Sequence, residues 1–421
     1  MSDYQQLSAA ALKAEQVILE KRYQEFKARN LKLDMTRGKP ASTQLDLSMG
    51  MLDDKDYQAA DGTDCRNYGG VDGLPEAKNL FAEYLEVEPS EIIIGGNSSL
   101  ALMHDLIVRA MLLGVPGSEP WSKLPKVKFL CPTPGYDRHF AICELFGIEM
   151  IPVELKDDGP DMEEVEKLAV SDAAIKGIWC TPKYSNPTGI TYSDQVVDRL
   201  ARMKTMAPDF RIFWDNAYAA HHLNGQIEPL KNILIACKNA GNPERVFIFG
   251  STAKISFAGA GIAAVAGSCV NMNWLRKQIG IQSIGPDKIN QLRHVRLFKN
   301  MAGIKTHMDK HAAILKPKFD LVTAILDSEL GGKNIAFYQK PKGGYFISLD
   351  TLDGCAQKVV ALAAAAGVAL TKAGATFPYG KDPRDRNIRI APSMPPLSEL
   401  KQAMELVAIC IQLVSIEKLT G

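Results

Sequence analysis

Lys254 lies in residues 245–268, RVFIFGSTAKISFAGAGIAAVAGS, where an apolar run ends at Gly250, a loop of small residues carries the lysine, and a second apolar run follows. A lysine just past a strand end, held among Ser, Thr, Ala and Gly, is partly desolvated, which makes its amine a nucleophile able to form a Schiff base with a carbonyl. On its own the segment reads more readily as a solvated loop, as most lysines after strands are. Two upstream segments supply company: residues 177–189, GIWCTPKYSNPTG, and residues 210–219, FRIFWDNAYA. Each is an apolar run ending in polar residues, so Asn186, Asp215, Tyr218 and Lys254 fall at the carboxyl ends of three successive strands, where open α/β sheets bind ligands. Residues 92–113 add an apolar triplet, then Gly95, Gly96, Asn97, Ser98 and Ser99, then a helix with apolar Leu102, Leu106, Ile107 and Met111. Free N–H groups, the positive end of the dipole and three polar side chains at that helix start suit a phosphate; simple N-capping explains only one of the three.

This set, with the run Asn186, Pro187, Thr188, Gly189 and the pair Asp215 and Tyr218, closely resembles the class I aminotransferases, pyridoxal-phosphate (PLP) enzymes of fold type I. The resemblance covers nearly the whole chain. It implies an α/β fold with a large domain built on a mostly parallel seven-stranded sheet and a smaller α+β domain. The expected division is residues 1–48 as an N-terminal arm and part of the small domain, 49–300 as the PLP-binding domain and 301–421 as the rest of the small domain. It further implies that Lys254 carries PLP as an aldimine and then acts as the base at Cα, and that Asp215 pairs with the pyridine nitrogen. Asn186 and Tyr218 would donate to the ring oxygen, Tyr136 would stack on the ring, and Asn97, Ser98, Ser99 and Ser251 would hold the phosphate. Tyr68 would reach the cofactor of a partner subunit, making a homodimer with shared sites.

Arg389, in NIRIA, falls on the family's α-carboxylate arginine, while Arg37 and Gly38 lie in a turn at the mouth of the site, with Asn186 also touching substrate. One departure stands out. The family's phosphate-binding arginine, eight residues after the lysine, is here Ile262, which leaves Ser251, Ser256 and the helix start to carry that charge. The TRGKP entry at residues 36–40 and the AGAG loop resemble a divergent subgroup of bacterial aspartate aminotransferases, so aspartate with 2-oxoglutarate in ping-pong order is the expected reaction. Arg37, Lys39, Arg138 and Lys183 are the candidate cations for a side-chain carboxylate. Other amino donors (alanine, aromatic), a PLP lyase or synthase, and a PLP-binding ligand sensor remain as alternatives.

The elements that must position these residues are equally readable. The chain has 421 residues, 46% of them hydrophobic, enough for one large domain with a smaller companion. With 49 basic and 48 acidic residues the net charge is +1, which favours neither nucleic acid nor an anionic membrane surface. No apolar run reaches the roughly 20 residues of a membrane span. Eight cysteines without CxxC spacing read as buried reduced thiols of a cytoplasmic protein, with no metal site. Residues 8–29 predict an amphipathic helix with Leu12, Val17, Leu19, Tyr23 and Phe26 on its apolar side, residues 292–318 one long helix, and residues 127–136, 148–155 and 343–349 further strands. His139 reads as a structural donor in preference to a second base.

Overall fold

The apolar runs that end in polar residues become the strands of a single sheet. A computed structural model describes residues 3–421, and its large sheet runs in the order Ile92–Ile94, Ala263–Gly267, Val246–Ser251, Arg211–Asp215, Ile175–Cys180, Lys128–Thr133, Glu149–Lys156 and Gly159–Pro160. The five strands from Val246–Ser251 to Glu149–Lys156 pair in parallel. Ala263–Gly267 runs against both its neighbours. The sheet is therefore the expected seven strands plus a two-residue antiparallel edge strand at Gly159. Every residue of Ile175–Cys180, Arg211–Asp215, Val246–Ser251 and Ala263–Gly267 is buried. That is why these strands read as continuous apolar runs without alternation: both faces are covered, one core holding Ile178, Ile212 and Ile248, the other Phe129, Trp179, Phe213 and Phe249.

A second core gathers the two ends of the chain. The helix Ala9–Lys27 packs with Leu397–Thr420 and Met301–Leu330 over a three-stranded antiparallel sheet of Ala336–Tyr338, Ile347–Thr351 and Asn387–Ile390. Leu33–Met35 pairs in parallel with Val368–Leu370. In the first helix Leu12, Leu19, Tyr23 and Phe26 are buried, but Val17 is 67% exposed, because its position lies off the stripe the other four share. The single helix expected over residues 292–318 is two helices, Lys288–Phe298 and Met301–Leu330. Lys299 takes a left-handed φ of 64°, and Asn300 restarts the chain as an N-cap whose side chain accepts from the Gly303 N–H. A Cβ at Gly303 would lie 1.7 Å from the Phe298 carbonyl oxygen, so only glycine permits that corner. Seven of the eight cysteines are buried as expected, whereas Cys269, first residue of a surface helix, is exposed.

Candidate active site

Parallel pairing sets Asp215 opposite Phe249, two residues before the end of the neighbouring strand, so the loops that carry Asn186, Tyr218 and Lys254 all leave the same sheet edge. They enclose a cavity of about 220 Å³ lined by, among others, Ser98, Ser99, Tyr136, Asn186, Asp215 and Lys254. Asp215 is 2% exposed. Its Oδ2 lies 3.1 Å from His139 Nε2, and the imidazole in turn stacks on Trp179 at 4.5 Å with 9° between planes. Its Oδ1 is buried and has no hydrogen-bond partner among the described residues. Lys254 lines the cavity with its Nζ 4.9 Å from the Tyr218 ring centroid. The residue is partly open because it faces the cavity, yet protein surrounds its amine closely enough that desolvation holds its pKa below the usual lysine value, against the opposing pull of Asp215.

The lysine loop is fixed from behind. His221 Nε2 donates to the Lys254 carbonyl at 3.2 Å, so the proton sits on that nitrogen, and burial pushes the imidazole pKa down to about 3. Tyr345, fully buried and stacked on Tyr218 with centroids 6.1 Å apart, accepts from Gln44 Nε2 at 2.9 Å and faces the same carbonyl at 3.5 Å. His221, Gln44 and Tyr345 carried no signal in the sequence. Each belongs to a segment without chemical pattern of its own and meets Lys254 only through the tertiary fold. His139 was visible as a donor, but its partner was not.

Arg389 comes from the small-domain strand Asn387–Ile390 and reaches Asn186, a residue of the cavity lining. Its Nη1 donates to Asp137 Oδ1 at 2.9 Å and to Asn186 Oδ1 at 3.3 Å, Nη2 has only a 3.5 Å contact with Thr371, and Nε is without a partner among the described residues. Donor capacity is thus left over for a carboxylate. The guanidinium lies 4.9 Å over the Phe346 ring, and a Cβ at Gly38 would come within 2.4 Å of that ring, so the turn at Gly38 must be side-chain-free to close over the site.

The remaining expected residues divide. Gly38, Tyr136, Tyr218 and Ser251 line the cavity, as does Lys39. Arg37 and Asn97 are exposed and outside the lining. Tyr68 is 81% exposed on the surface. Ser256 is turned inward: with Thr252 it bonds His294 Nε2 (2.7 and 3.0 Å), and Thr252 Oγ1 also accepts from the Ile262 N–H at 2.9 Å. His294 Nδ1 faces the Asn290 carbonyl at 2.7 Å, so Nε2 is the accepting nitrogen. A buried neutral network therefore occupies the region beside Ile262, and no arginine lines the cavity among the described residues. Ser98 is the N-cap of Ser99–Leu113 but makes no side-chain capping bond, which leaves its hydroxyl available. Arg138 is exposed, though close enough that its charge acts on the Tyr136 hydroxyl. Lys183 lines a different cavity altogether.

A carboxylate tied to histidine through one oxygen and bare on the other matches what a protonated pyridine nitrogen requires. With a desolvated amine across the cavity and two serines at a helix start, the residues present fit PLP. Fold and cavity together define a PLP-dependent aminotransferase of fold type I. The model of the aspartate amino-transferase family matches residues 7–421, and the chain belongs to that family. An aspartate aminotransferase of Corynebacterium glutamicum is 47% identical over 403 residues, covering 95% of this chain and 93% of the relative. A Mycolicibacterium smegmatis relative is 50% identical over 425 residues, 99% of both chains. The crystal structure of a C. glutamicum aspartate transaminase superposes with a TM-score of 0.97 at 45% identity, covering 99% of each chain. No helix among the described residues is long and apolar enough to cross a membrane.

Proposed function

We propose that the protein transfers the amino group of aspartate to 2-oxoglutarate in two half-reactions of ping-pong order, as a cytoplasmic homodimer. The observation that carries this reading is Arg389, its fork incompletely used, beside Asn186 of the cavity lining. An α-carboxylate held there presents the substrate to the Lys254 amine. Bound PLP supplies a ring that withdraws electrons from Cα. Asp215 would hold the ring nitrogen protonated through its bare oxygen, Asn186 and Tyr218 would donate to the ring oxygen, and Tyr136 would pack against the ring. Lys254 would hold the cofactor and serve as the base at Cα, a task its lowered pKa suits. Ser98, Ser99 and Ser251 would hold the phosphate. Lys39 in the lining and Arg138 beside Tyr136 are the cations placed for a side-chain carboxylate, in line with the activity named for the Corynebacterium relative. Tyr68, exposed on its own subunit, is free to enter a partner's site.

The test is an absorbance titration of the PLP-loaded protein with aspartate, followed by assay of glutamate formed from 2-oxoglutarate. Conversion of the cofactor band with one glutamate per aspartate consumed is expected; a band that aspartate leaves unchanged would sink the assignment. Arg389→Ala should raise KM for every amino acid by roughly 10²-fold, the worth of a bidentate charge-assisted pair. Lys39→Ala and Arg138→Ala should impair only dicarboxylates.

A further inference from the structure

A second cavity, of about 410 Å³, opens between the segment that follows the Asp215 strand and the first turns of the helix Met301–Leu330. It shares no lining residue with the catalytic cavity. One wall is apolar, with Trp214, Ile248, Ile304 and Met308. The other presents polar groups with nothing to bind. Lys183 is 7% exposed and forms no ion pair or hydrogen bond among the described residues; its Nζ contact is the Tyr184 ring, 5.8 Å away. Tyr84 is 6% exposed, and both its hydroxyl and Asn216 Oδ1 are buried without a partner among the described residues.

Burial holds the Lys183 pKa below the usual lysine value, and Glu86 and Glu228 oppose that only through space, without contacting it. Glu228 pairs with Lys342, Asp309 with Lys305 and Lys231 with Asp198, while Glu83 and Glu86 are exposed. Beside it the Tyr184 hydroxyl accepts from the Glu228 N–H and is hydrogen-bonded to His222 Nδ1 at 2.6 Å. Burial keeps that imidazole neutral, its pKa down at about 4. Lys183 and the His222 imidazole thus line one cavity opposite an indole and aliphatic side chains. A buried ammonium without a contact partner is among the costliest groups a fold can hold, and an anionic ligand would supply one.

We propose that this cavity binds a small organic carboxylate with an apolar body. The carboxylate takes Lys183, with the His222 imidazole beside it, and the body lies on Trp214 and Ile248. The occupant rests against the two loops that carry Asn186 and Asp215 on their other side, since Lys183 precedes Asn186 by three residues and Asn216 follows Asp215 directly.

Phenylacetate is the probe, titrated calorimetrically into the PLP-loaded enzyme, with phenethylamine as the control of opposite charge. Because phenylacetate can also meet Arg389, the titration is repeated on Arg389→Ala. Binding that survives Arg389→Ala, falls at least about tenfold in Lys183→Met, returns in Lys183→Arg and fails for phenethylamine supports the site. Lys183→Met should melt no lower than the parent, since it removes an unpaired buried charge, so a loss of binding there is not a loss of fold. Binding abolished by Arg389→Ala and untouched by Lys183→Met, or no binding to the parent at millimolar phenylacetate, would overturn it.

Discussion

The two ends of the catalytic cavity are built by different means. At the ring end Asp215 is the last residue of a buried strand, backed by His139 and Trp179 in a stack without play. At the end we assign to the phosphate, Ser98 and Ser99 lie at a helix start and Ser251 at a strand end, and Ile262, where an arginine is expected, sits beside a neutral Thr252, Ser256 and His294 network. The ring end concentrates its effect in one charge; the phosphate end spreads it over dipoles and hydroxyls. A concentrated device fails when one residue is lost, and a distributed one degrades in steps.

The largest effect should come from Asp215→Ala, which removes the only carboxylate in the cavity lining among the described residues. We expect kcat to fall roughly 10³-fold, the scale of losing a preorganised electrostatic partner. The same variant should move the lysine titration: Asp215 raises the Lys254 pKa against desolvation, so its loss shifts the pH profile of PLP uptake by the apoenzyme to still lower pH. An unshifted profile would mean the two groups do not sense each other. A smaller change is expected of His139→Ala, about tenfold in kcat, because one hydrogen bond to a charged group is lost while the carboxylate stays. Smallest are Ser98→Ala and Ser251→Ala. Each should weaken PLP binding by about fivefold, measured by equilibrium dialysis, with kcat little changed and their effects adding in the double variant. A collapse of PLP binding in either single variant would erase the contrast between the ends.

What could be read from the sequence follows the same division. Asp215, Asn186 and Lys254 are chemically distinctive residues at the ends of apolar runs, and strand pairing alone brings them together. Arg389 was legible because it interrupts an apolar strand. The break at Lys299 was not, because Asn300 and Gly303 are ordinary in isolation and gain meaning only from the Phe298 carbonyl they must clear. Lys183 shows the limit most plainly: three residues before Asn186, it was a candidate cation for a side-chain carboxylate, yet it lines the other cavity. Arg37 and Asn97 likewise lie exposed and outside the lining, each next to a residue that lines the cavity. Adjacency in the chain fixes which loop a residue is on and leaves open which side of the loop it faces.

The parallel pairing of Leu33–Met35 with Val368–Leu370 also sets a schedule for biosynthesis. All strands of the large sheet lie between Ile92 and Gly267, so that sheet has its full complement while the small domain still lacks Val368–Leu370 and the helix Leu397–Thr420. At ordinary rates of translation the nascent N-terminal segment waits roughly 20–70 s for its partner strand to be made. Until Met301–Leu330 is made, the apolar stripe of Leu12, Leu19, Tyr23 and Phe26 lacks both helices that cover it, and it waits longer still for Leu397–Thr420, which makes this helix the natural early client of a chaperone at the ribosome.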